Sequence, residues 1–332
     1  MRLTGGRNVD TVCLYYSFIE TFCLHSRRER GGFEMSPDVL KKIDEFLKST
    51  DTPAFSCIDN NPVARLAFVD SLKLRYNNPV KINQSGASLC AAAAFMYCIA
   101  RERPDDYAMY VLDLAMTGRT RLGNMMVTPS PGCRKALVTS KSGRSISPVD
   151  WVALASVRDD TGSRMRSVES DYAGITRGGD LKGWFNATGW FAQVVDRSLS
   201  TSTRSLENLL EINTLPTCYV CLFIKGKVIQ HGSKSAWYGA DHWVVLGDGQ
   251  RGVSFGQTNG LNGCRIEITK PGTAIAVKPV TSTKQGEFDN GKLSFSVYTW
   301  SEIRRIDHIY MNNLTVKKFL GYYYGYLAAQ WK

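Results

Sequence analysis

The pattern of apolar residues changes at about residue 216, and this change limits the fold more than any other feature of the chain. Before it, apolar residues recur at helical spacing, for example after Ser36-Pro37, which supplies an N-cap and a first-turn proline, and again from Pro62 to Leu74. After it come short β-type runs separated by glycine-containing turns: CYVCLFI, HWVVL, GVSF, CRIEI, TAIAV and LSFSVYTW. Helices followed by a meandering sheet predict an α+β protein with two lobes.

The same change predicts how the chain is organised. We expect a helical N-terminal region at residues 1–80, a helical lobe at 81–215 and a β-rich lobe at 216–332. Within the helical lobe, the sequence SPVD from Ser147 to Asp150 resembles a capping box that opens a helix. The final segment, LTVKKFLGYYYGYLAAQ, is expected to close the fold as a packed C-terminal helix.

Composition excludes several classes of protein. The longest apolar runs fall well short of the roughly 20 residues that a membrane span needs, and the start of the chain lacks the apolar core of a signal peptide. Nine cysteines without regular spacing do not predict a disulfide framework, and the CYVC pair lies in a β-type run without a second CxxC, so no metal or other cofactor is expected. The net charge of +11 favours anionic partners, but its spread along the chain does not indicate nucleic-acid binding.

The stretch NQSGASLCAAAAFMY, which runs from residue 83 to 97, points to thiol chemistry. Ser88 stands where an N-cap is expected, and the alanine-rich sequence after it has a high helix propensity. This places Cys90 in the first turn of a buried helix. The unpaired N–H groups and the positive end of the helix dipole there favour a thiolate over a thiol.

A thiolate that attacks a carbonyl also needs a proton-transfer group and a donor for the oxyanion. Of the four histidines, His242 is the best candidate base, because it opens the strand HWVVL and so lies at the end of a sheet. Gln84 lies six residues before Cys90. Its side-chain amide, together with the Cys90 backbone N–H, is predicted to stabilise the oxyanion.

These three features together resemble the papain-like cysteine peptidase superfamily. The resemblance rests on the Gln84 to Cys90 spacing, the cysteine at the start of a helix and a later histidine that starts a β-strand. It implies a papain-like two-lobed fold, with the nucleophile on a helical lobe and the base on an antiparallel β-rich lobe. Ala91 stands where papain has an aromatic residue, which indicates a distant branch. HWVVL followed by a late strand is most similar to bacterial papain-like toxins delivered by contact-dependent or type VI secretion.

The residue that orients the imidazole is less determined. In papain-like folds an Asn or Asp has this role at the end of the strand after the histidine strand. By hairpin length, the segment after His242 offers Gln257 or Asn259, whose side-chain carbonyls can accept the imidazole N–H. A different alignment treats residues 256–291 as an insertion and uses the later YTW strand, which brings Thr299 or Ser301 near the site.

The sequence therefore predicts a cysteine hydrolase that cleaves an amide bond in a protein or in a peptidoglycan peptide. The resemblance implies a bacterial toxin that is cytoplasmic in its producer, is delivered into a target cell without a signal peptide, and is neutralised by a cognate immunity protein. Two alternatives stay open. One is a deamidase or acyltransferase with the same cysteine, and the other is a non-catalytic cationic protein that binds nucleic acid.

Overall fold

A computed structural model describes the larger part of the chain, and its contacts divide the chain into two units, Met1–Pro37 and Asp38–Lys332. The architecture below is that of the second unit. The described residues are 34–141, 143–163, 165–168, 176–198, 205–215, 218–229, 242–247, 266–269, 289–307 and 314–332.

Helices make up most of the first half of this unit. They are α1 (Pro37–Lys48), α2 (Pro62–Asn77), α3 (Cys90–Glu102), α4 (Pro104–Thr117), α5 (Pro131–Arg134), α6 (Pro148–Asp150), α7 (Ser156–Arg158) and α8 (Gly178–Thr188). A π-helical turn, Trp151–Ala155, joins α6 to α7 into one continuous helical segment. Two short strands, β1 (Thr120–Leu122) and β2 (Met125–Val127), form an antiparallel hairpin between α4 and α5.

A seven-stranded antiparallel sheet dominates the second half. Its strands are β3 (Phe191–Asp196), β4 (Tyr219–Ile224), β5 (His242–Leu246), β6 (Glu267–Thr269), β7 (Lys292–Thr299), β8 (Glu302–Asp307) and β9 (Tyr323–Trp331). The order is β3-β9-β4-β5-β7-β6, and β8 also pairs with β7. Two short helices, α9 (Leu206–Glu211) and α10 (Val316–Leu320), lie between strands along the chain.

Helix α3 joins the helical part to the sheet. From Cys90 to Arg101 every residue of this helix is buried, as expected for a helix that is apolar on all sides. It packs against α4, α8, the helical turn Trp151–Ala155 and strand β5. The four consecutive alanines, Ala91 to Ala94, allow these neighbours to approach the helix closely.

The other face of the sheet carries a separate apolar core. Alternate residues of three neighbouring strands point into it and pack with the side chains of α9 and α10: Val220, Leu222, Ile224, Val244, Leu246, Phe295, Val297, Leu206, Leu209, Val316 and Phe319. The sheet is therefore covered on both sides. The β-type runs are nearly continuous in apolar residues because both faces of these strands are buried.

The fold class is the one that the sequence predicts, since the chain is α+β with antiparallel sheets. The runs CYVCLFI, HWVVL and LSFSVYTW form β4, β5 and β7. Strand β8 and the β1–β2 hairpin were not predicted, and the hairpin lies in a region whose glycines and prolines indicate loop.

The prediction of a C-terminal helix that closes the fold is wrong. The helix ends after five residues, as α10, and after Gly321 and Tyr322 the next nine residues form β9, which pairs with β3 and β4. Two neighbouring strands satisfy the backbone of this segment, and their pairing overrides the helix propensity of its leucine and alanines. Within β9, position 325 (φ 106) has to be glycine, because a Cβ there would lie 2.1 Å from the Arg197 carbonyl oxygen.

Two predicted helix caps are also corrected. Leu89, and not Ser88, is the N-cap of α3, and it makes no side-chain cap hydrogen bond. Ser147 is the N-cap of α6, but its side chain accepts no cap hydrogen bond. Asp150 instead forms a buried ion pair with Arg75 of α2, at 2.6 Å and 3.0 Å. An unpaired guanidinium would be costly in this interior, so the carboxylate serves a tertiary contact and not a local cap.

Candidate functional site

Cys90 is the first residue of α3, as the sequence predicts for a nucleophile in the first turn of a helix. Leu89 before it has φ −120° and ψ 20°, so the chain enters the helix directly from the preceding loop. The Cys90 side chain is only 8% exposed. The first-turn N–H groups lack intrahelical acceptors, and together with the helix dipole they favour negative charge on the sulfur.

A buried cation lies near this sulfur. Arg158, at the end of α7, is 3% exposed, and burial lowers its pKa, while the negative charges of Asp180 and of a thiolate at Cys90 act in the opposite direction. Asp180 belongs to the first turn of α8, and its Oδ2 lies 3.8 Å from Nη1 of Arg158. The buried guanidinium is therefore paired with a more exposed carboxylate and also interacts electrostatically with Cys90.

Gln84 lies in a tight loop before α3. Its Nε2 donates a hydrogen bond to the Ala87 carbonyl oxygen (3.2 Å), and its backbone oxygen accepts from Ala87 N (3.1 Å). Ser85, between them, has a left-handed backbone with φ 51°. The amide nitrogen of glutamine carries two N–H donors, so the bond to Ala87 fixes the orientation of the amide and leaves one donor for another acceptor.

The loop with Gln84 is held from two sides. Tyr298 of β7 donates a hydrogen bond from its hydroxyl to the Ile82 carbonyl oxygen (2.6 Å). On the other side the Asn83 backbone N–H donates to Asp150, which is itself paired with Arg75. The position of the loop before Cys90 is thus set by the sheet and by the buried ion pair together.

His242 is the first residue of β5, where it pairs with Ile224 of β4. Its Nε2 is hydrogen bonded to Oγ1 of Thr299 at 2.7 Å. The Trp300 ring stacks on the imidazole, with 4.4 Å between ring centroids and an interplanar angle of 17°. Burial, and secondarily the charge of Arg304, lowers the pKa of His242 to about 3, so the imidazole is neutral at pH 7.

The turn between β7 and β8 carries this tryptophan. Trp300 (φ 43°) and Ser301 (φ 65°) both have left-handed backbone conformations, and Thr299 pairs with Glu302 across them. A two-residue turn with this backbone usually has glycine or asparagine, and a bulky residue in the left-handed region is uncommon. Here the turn directs the Trp300 ring over His242, and the Arg304 guanidinium lies 5.2 Å from the centre of the indole.

Three contacts determine how α3 lies along the sheet. Near its C-terminal end, Glu102 accepts a hydrogen bond from the Tyr219 hydroxyl of β4. One turn earlier, the Cys98 thiol is hydrogen bonded to Cys221. The Tyr97 ring stacks on Tyr298 of β7, with 3.9 Å between ring centroids. The helix therefore runs antiparallel to β4.

This alignment brings the start of α3 level with the start of β5. Cys221 pairs with Val245, so the helix runs in the same direction as β5. A Cβ at Gly247, just after β5, would lie 3.9 Å from Nη1 of Arg101. From Arg101 back to Cys90 the helix rises about 16 Å, and from Gly247 back to His242 the strand spans about 17 Å. Cys90 and His242 thus belong to the same end of the packed helix and sheet.

The alternation of side chains along β5 and β7, however, directs His242 away from the face of the sheet that α3 covers. Cys221 and Tyr298 point toward α3, whereas Val244 and Val297 point into the core on the other face. His242 has the same phase as Val244, and Thr299 has the same phase as Val297. The imidazole and the sulfur can therefore meet only around the end of the sheet and not through it.

The structure describes some of the site residues that the sequence predicts and not others. Cys90, Gln84 and His242 are described, and the alternative alignment that uses the YTW strand has Thr299 as the hydrogen-bond partner of His242. Gln257 and Asn259 lie outside the described residues. Sequence reasoning did not single out Arg158, since no local pattern connects it to a cysteine 68 positions earlier. Trp300 was visible in the YTW motif, but its left-handed backbone was not.

The described residues also bear on metal sites and membrane spans. In the described part of the chain, no group of three or more His, Cys, Asp or Glu side chains has a geometry that could hold a metal ion. Among the described helices, none is both long enough and apolar enough to span a membrane. Comparison with protein-family models, with curated proteins and with solved structures finds no match for this chain.

Proposed function

We propose that this chain is a cysteine hydrolase that cleaves an amide bond, with Cys90 as the nucleophile and His242 as the proton-transfer group. The observation that carries the proposal is the His242–Thr299 hydrogen bond at the end of the sheet that is level with the start of α3. A hydrogen bond to one ring nitrogen fixes the tautomer and orientation of an imidazole. With Nε2 bonded to Thr299, Nδ1 is the nitrogen that remains for proton transfer.

The steps of the reaction follow from these groups. The Cys90 thiolate attacks the carbonyl carbon, so that an S–C bond forms and the carbonyl π electrons move to the oxygen. The oxyanion accepts hydrogen bonds from the Gln84 amide and the Cys90 backbone N–H. The C–N bond then breaks, and His242 transfers to the leaving nitrogen the proton that it accepted from the Cys90 thiol when the thiolate formed. Water attacks the acyl-enzyme, His242 accepts its proton, and cleavage of the C–S bond restores the thiolate.

The buried imidazole is consistent with this role in one respect. A general base must be unprotonated at the working pH, and the low pKa of His242 keeps it neutral; the same low pKa makes it a weak proton acceptor in this buried state, so the role requires substrate binding to change its surroundings. The proposed reaction requires the substrate to reach the imidazole of His242, which is 4% exposed and lies against Thr299 and Trp300. Substrate binding has to bring the reacting atoms to the end of β5, where sulfur and imidazole can both reach them.

The biological setting is also part of the proposal. The residues that resemble papain-like toxins favour a bacterial antagonistic effector that acts on a protein or on a peptidoglycan peptide inside a target cell, with a cognate immunity protein in the producer. The test is expression of the wild type and of Cys90→Ala in the cytoplasm and, separately, in the periplasm of a sensitive bacterium. Growth inhibition in one compartment that is lost in Cys90→Ala supports the proposal and locates the substrate.

The same experiment separates the alternatives. If Cys90→Ala inhibits growth as strongly as the wild type, the thiol mechanism is wrong and a non-catalytic cationic binder is favoured. If the wild type is toxic through Cys90 but its target proteins gain or lose mass without backbone cleavage, the reaction is deamidation or acyl transfer. The matched control is Cys98→Ala, because Cys98 lies on the same helix but faces Cys221.

A further inference from the structure

We propose that the indole of Trp300 is a lid over His242, and that Arg304 holds this lid closed in the free protein. The lid serves the proposed hydrolase, so the inference rests on the proposed function. When substrate binds, its scissile amide takes the place of the indole beside His242, and the displaced ring covers the bound substrate and keeps water out. Lid opening is therefore part of substrate binding and precedes proton transfer.

The Trp300 ring covers one flat face of the His242 imidazole. The two rings are nearly parallel (17°) and their centroids lie 4.4 Å apart, so nothing fits between them. Nε2 of the imidazole is held at the same time by Thr299, at 2.7 Å. His242 is buried, whereas Trp300 is only partly buried. A partly exposed side chain thus lies directly on the buried ring that the substrate has to reach, which is the arrangement of a lid.

The turn that carries the lid is strained. Trp300 (φ 43°) and Ser301 (φ 65°) both lie in the left-handed region, and neither is glycine or asparagine. Such backbones persist only where the surrounding structure holds them, and they are frequent at ligand clamps and switch segments. Thr299 and Glu302, the last pair of the β7–β8 ladder, close the turn. Rotation within the two turn residues can therefore move the ring while the strands stay paired.

Arg304 holds the ring in the closed position. Its guanidinium carbon lies 5.2 Å from the centre of the indole, within the range of a cation–π interaction. The guanidinium is itself fixed by an ion pair with Glu302 and by a hydrogen bond to the Ile229 carbonyl oxygen. The side chains of this ion pair are 33% and 46% exposed, so water screens it. The restraint on the ring is therefore weak enough for a substrate to displace.

A purely structural role is the competing explanation, because Trp300 also packs against the apolar core on one side of the sheet. The two explanations differ in how His242 becomes accessible. A residue that only packs exposes the imidazole when the protein unfolds, whereas a lid exposes it by a local opening. Denaturant separates the two routes, since its effect on an opening scales with the surface that the opening exposes.

The test measures modification of His242 in the full chain by diethyl pyrocarbonate, which transfers an ethoxycarbonyl group to a neutral imidazole. The rate is followed by mass spectrometry of the His242 peptide, without urea and at urea concentrations below the unfolding transition. At about pH 7.5 the imidazole is neutral both with its lowered pKa and with its ordinary one, so a change in its ionisation does not alter the result.

We expect Trp300→Gly to raise the rate of modification at least about tenfold, because the imidazole no longer waits for the lid to open. Arg304→Gln keeps the ring but removes the cation that holds it, and should raise the rate about threefold or more. Arg305→Gln is the matched control, since Arg305 is the next residue of β8 but is exposed and bonds to Ser294 Oγ at 3.2 Å. It should leave the rate unchanged.

A local opening also predicts rates that do not rise with urea below the transition. If either Trp300→Gly or Arg304→Gln modifies at the wild-type rate, or if the rates rise with urea in step with unfolding, the inference is overturned. Should Trp300→Gly fail to fold, Arg304→Gln decides, because it keeps both the ring and the turn. Failure of the hydrolase proposal is separate, since it shows as growth inhibition that survives in Cys90→Ala and does not involve the modification of His242.

Discussion

Nε2 of His242 lies 2.7 Å from the hydroxyl oxygen of Thr299, at one end of the sheet. The alignment of α3 along the sheet puts Cys90, its first residue, at the same end. The hydroxyl comes from the last residue of β7, and the imidazole from the first residue of β5. The two residues are 57 positions apart in sequence but stand on strands that are adjacent in the sheet.

The first prediction concerns Thr299. Thr299→Val keeps the shape of the side chain but removes the hydroxyl, so His242 loses the bond that fixes its tautomer. We expect activity in the growth-inhibition test to fall at least about tenfold, since proton transfer contributes roughly 100- to 10,000-fold to such reactions. The 15N spectrum of the His242 ring should change from a single tautomer to a mixture. Thr299→Ser, which restores a hydroxyl, should recover both; an unchanged ring spectrum in the valine variant would show that this bond does not orient the imidazole.

The second prediction separates the two residues of the β7–β8 turn. Ser301→Gly should raise the free energy of unfolding by up to about 1 kcal/mol, because glycine adopts the left-handed backbone without a steric cost. Trp300→Gly relieves the same strain but removes the ring that covers His242, so we expect activity to fall. Urea unfolding and the growth assay measure the two effects. Equal activity in both variants would mean that the Trp300 ring only packs.

The third prediction concerns the buried ion pair behind the Gln84 loop. Asp150→Ala leaves the Arg75 guanidinium without its partner carboxylate, which should cost about 3 to 5 kcal/mol of unfolding free energy. The double variant Arg75→Met with Asp150→Ala should be less destabilised than Asp150→Ala alone, because no unpaired charge remains. A double-mutant cycle in urea measures this coupling. Purely additive effects would contradict the role of the pair as one unit.

The fourth prediction is the effect of pH on stability through His242. Its folded pKa of about 3 is lower than the unfolded value of about 6.5, so between these values the unfolded chain binds a proton that the folded chain excludes. The contribution to stability is therefore fully present above about pH 6.5 and is lost as the pH falls toward 3. Between pH 7 and 4.5 we expect the wild type to lose about 2 to 3 kcal/mol of unfolding free energy through this group.

His242→Gln is the control for that measurement. It removes the titrating group and keeps a polar side chain that can still bond to Thr299. The difference in unfolding free energy between pH 7 and 4.5 should shrink by a similar amount in this variant. If the pH dependence of the two proteins is the same, His242 is not the buried neutral imidazole described above.

The sequence predicted those parts of the fold that local patterns specify. Helix α3 and strands β4, β5 and β7 follow from uninterrupted apolar periodicity with clear turn signals, and the position of Cys90 at a helix start follows from the loop before it. The C-terminal strand β9 could not be recognised in this way. Its LAAQ stretch favours a helix, and pairing with β3 and β4 makes the extended chain the stable state.

The candidate site shows the same division. Cys90, His242 and Gln84 have local signals, because each stands at the beginning of an element or in a turn. Thr299 could be named only as one alternative, since the choice depended on which strand lies beside β5. Arg158 had no signal at all, because its electrostatic interaction with Cys90 joins residues 68 positions apart in the sequence.

The most direct test of the central claim compares Cys90 with Cys57 in the folded wild-type chain. Cys57 is the more exposed of the two, but burial of its sulfur raises the pKa of its thiol to about 12. In a brief treatment with iodoacetamide at pH 7, we expect Cys90 to be alkylated at least about tenfold faster, because the thiolate is the form that reacts. If Cys57 reacts first, or if Cys90 stays unmodified until the protein unfolds, Cys90 is a structural thiol and the proposed hydrolase mechanism is wrong.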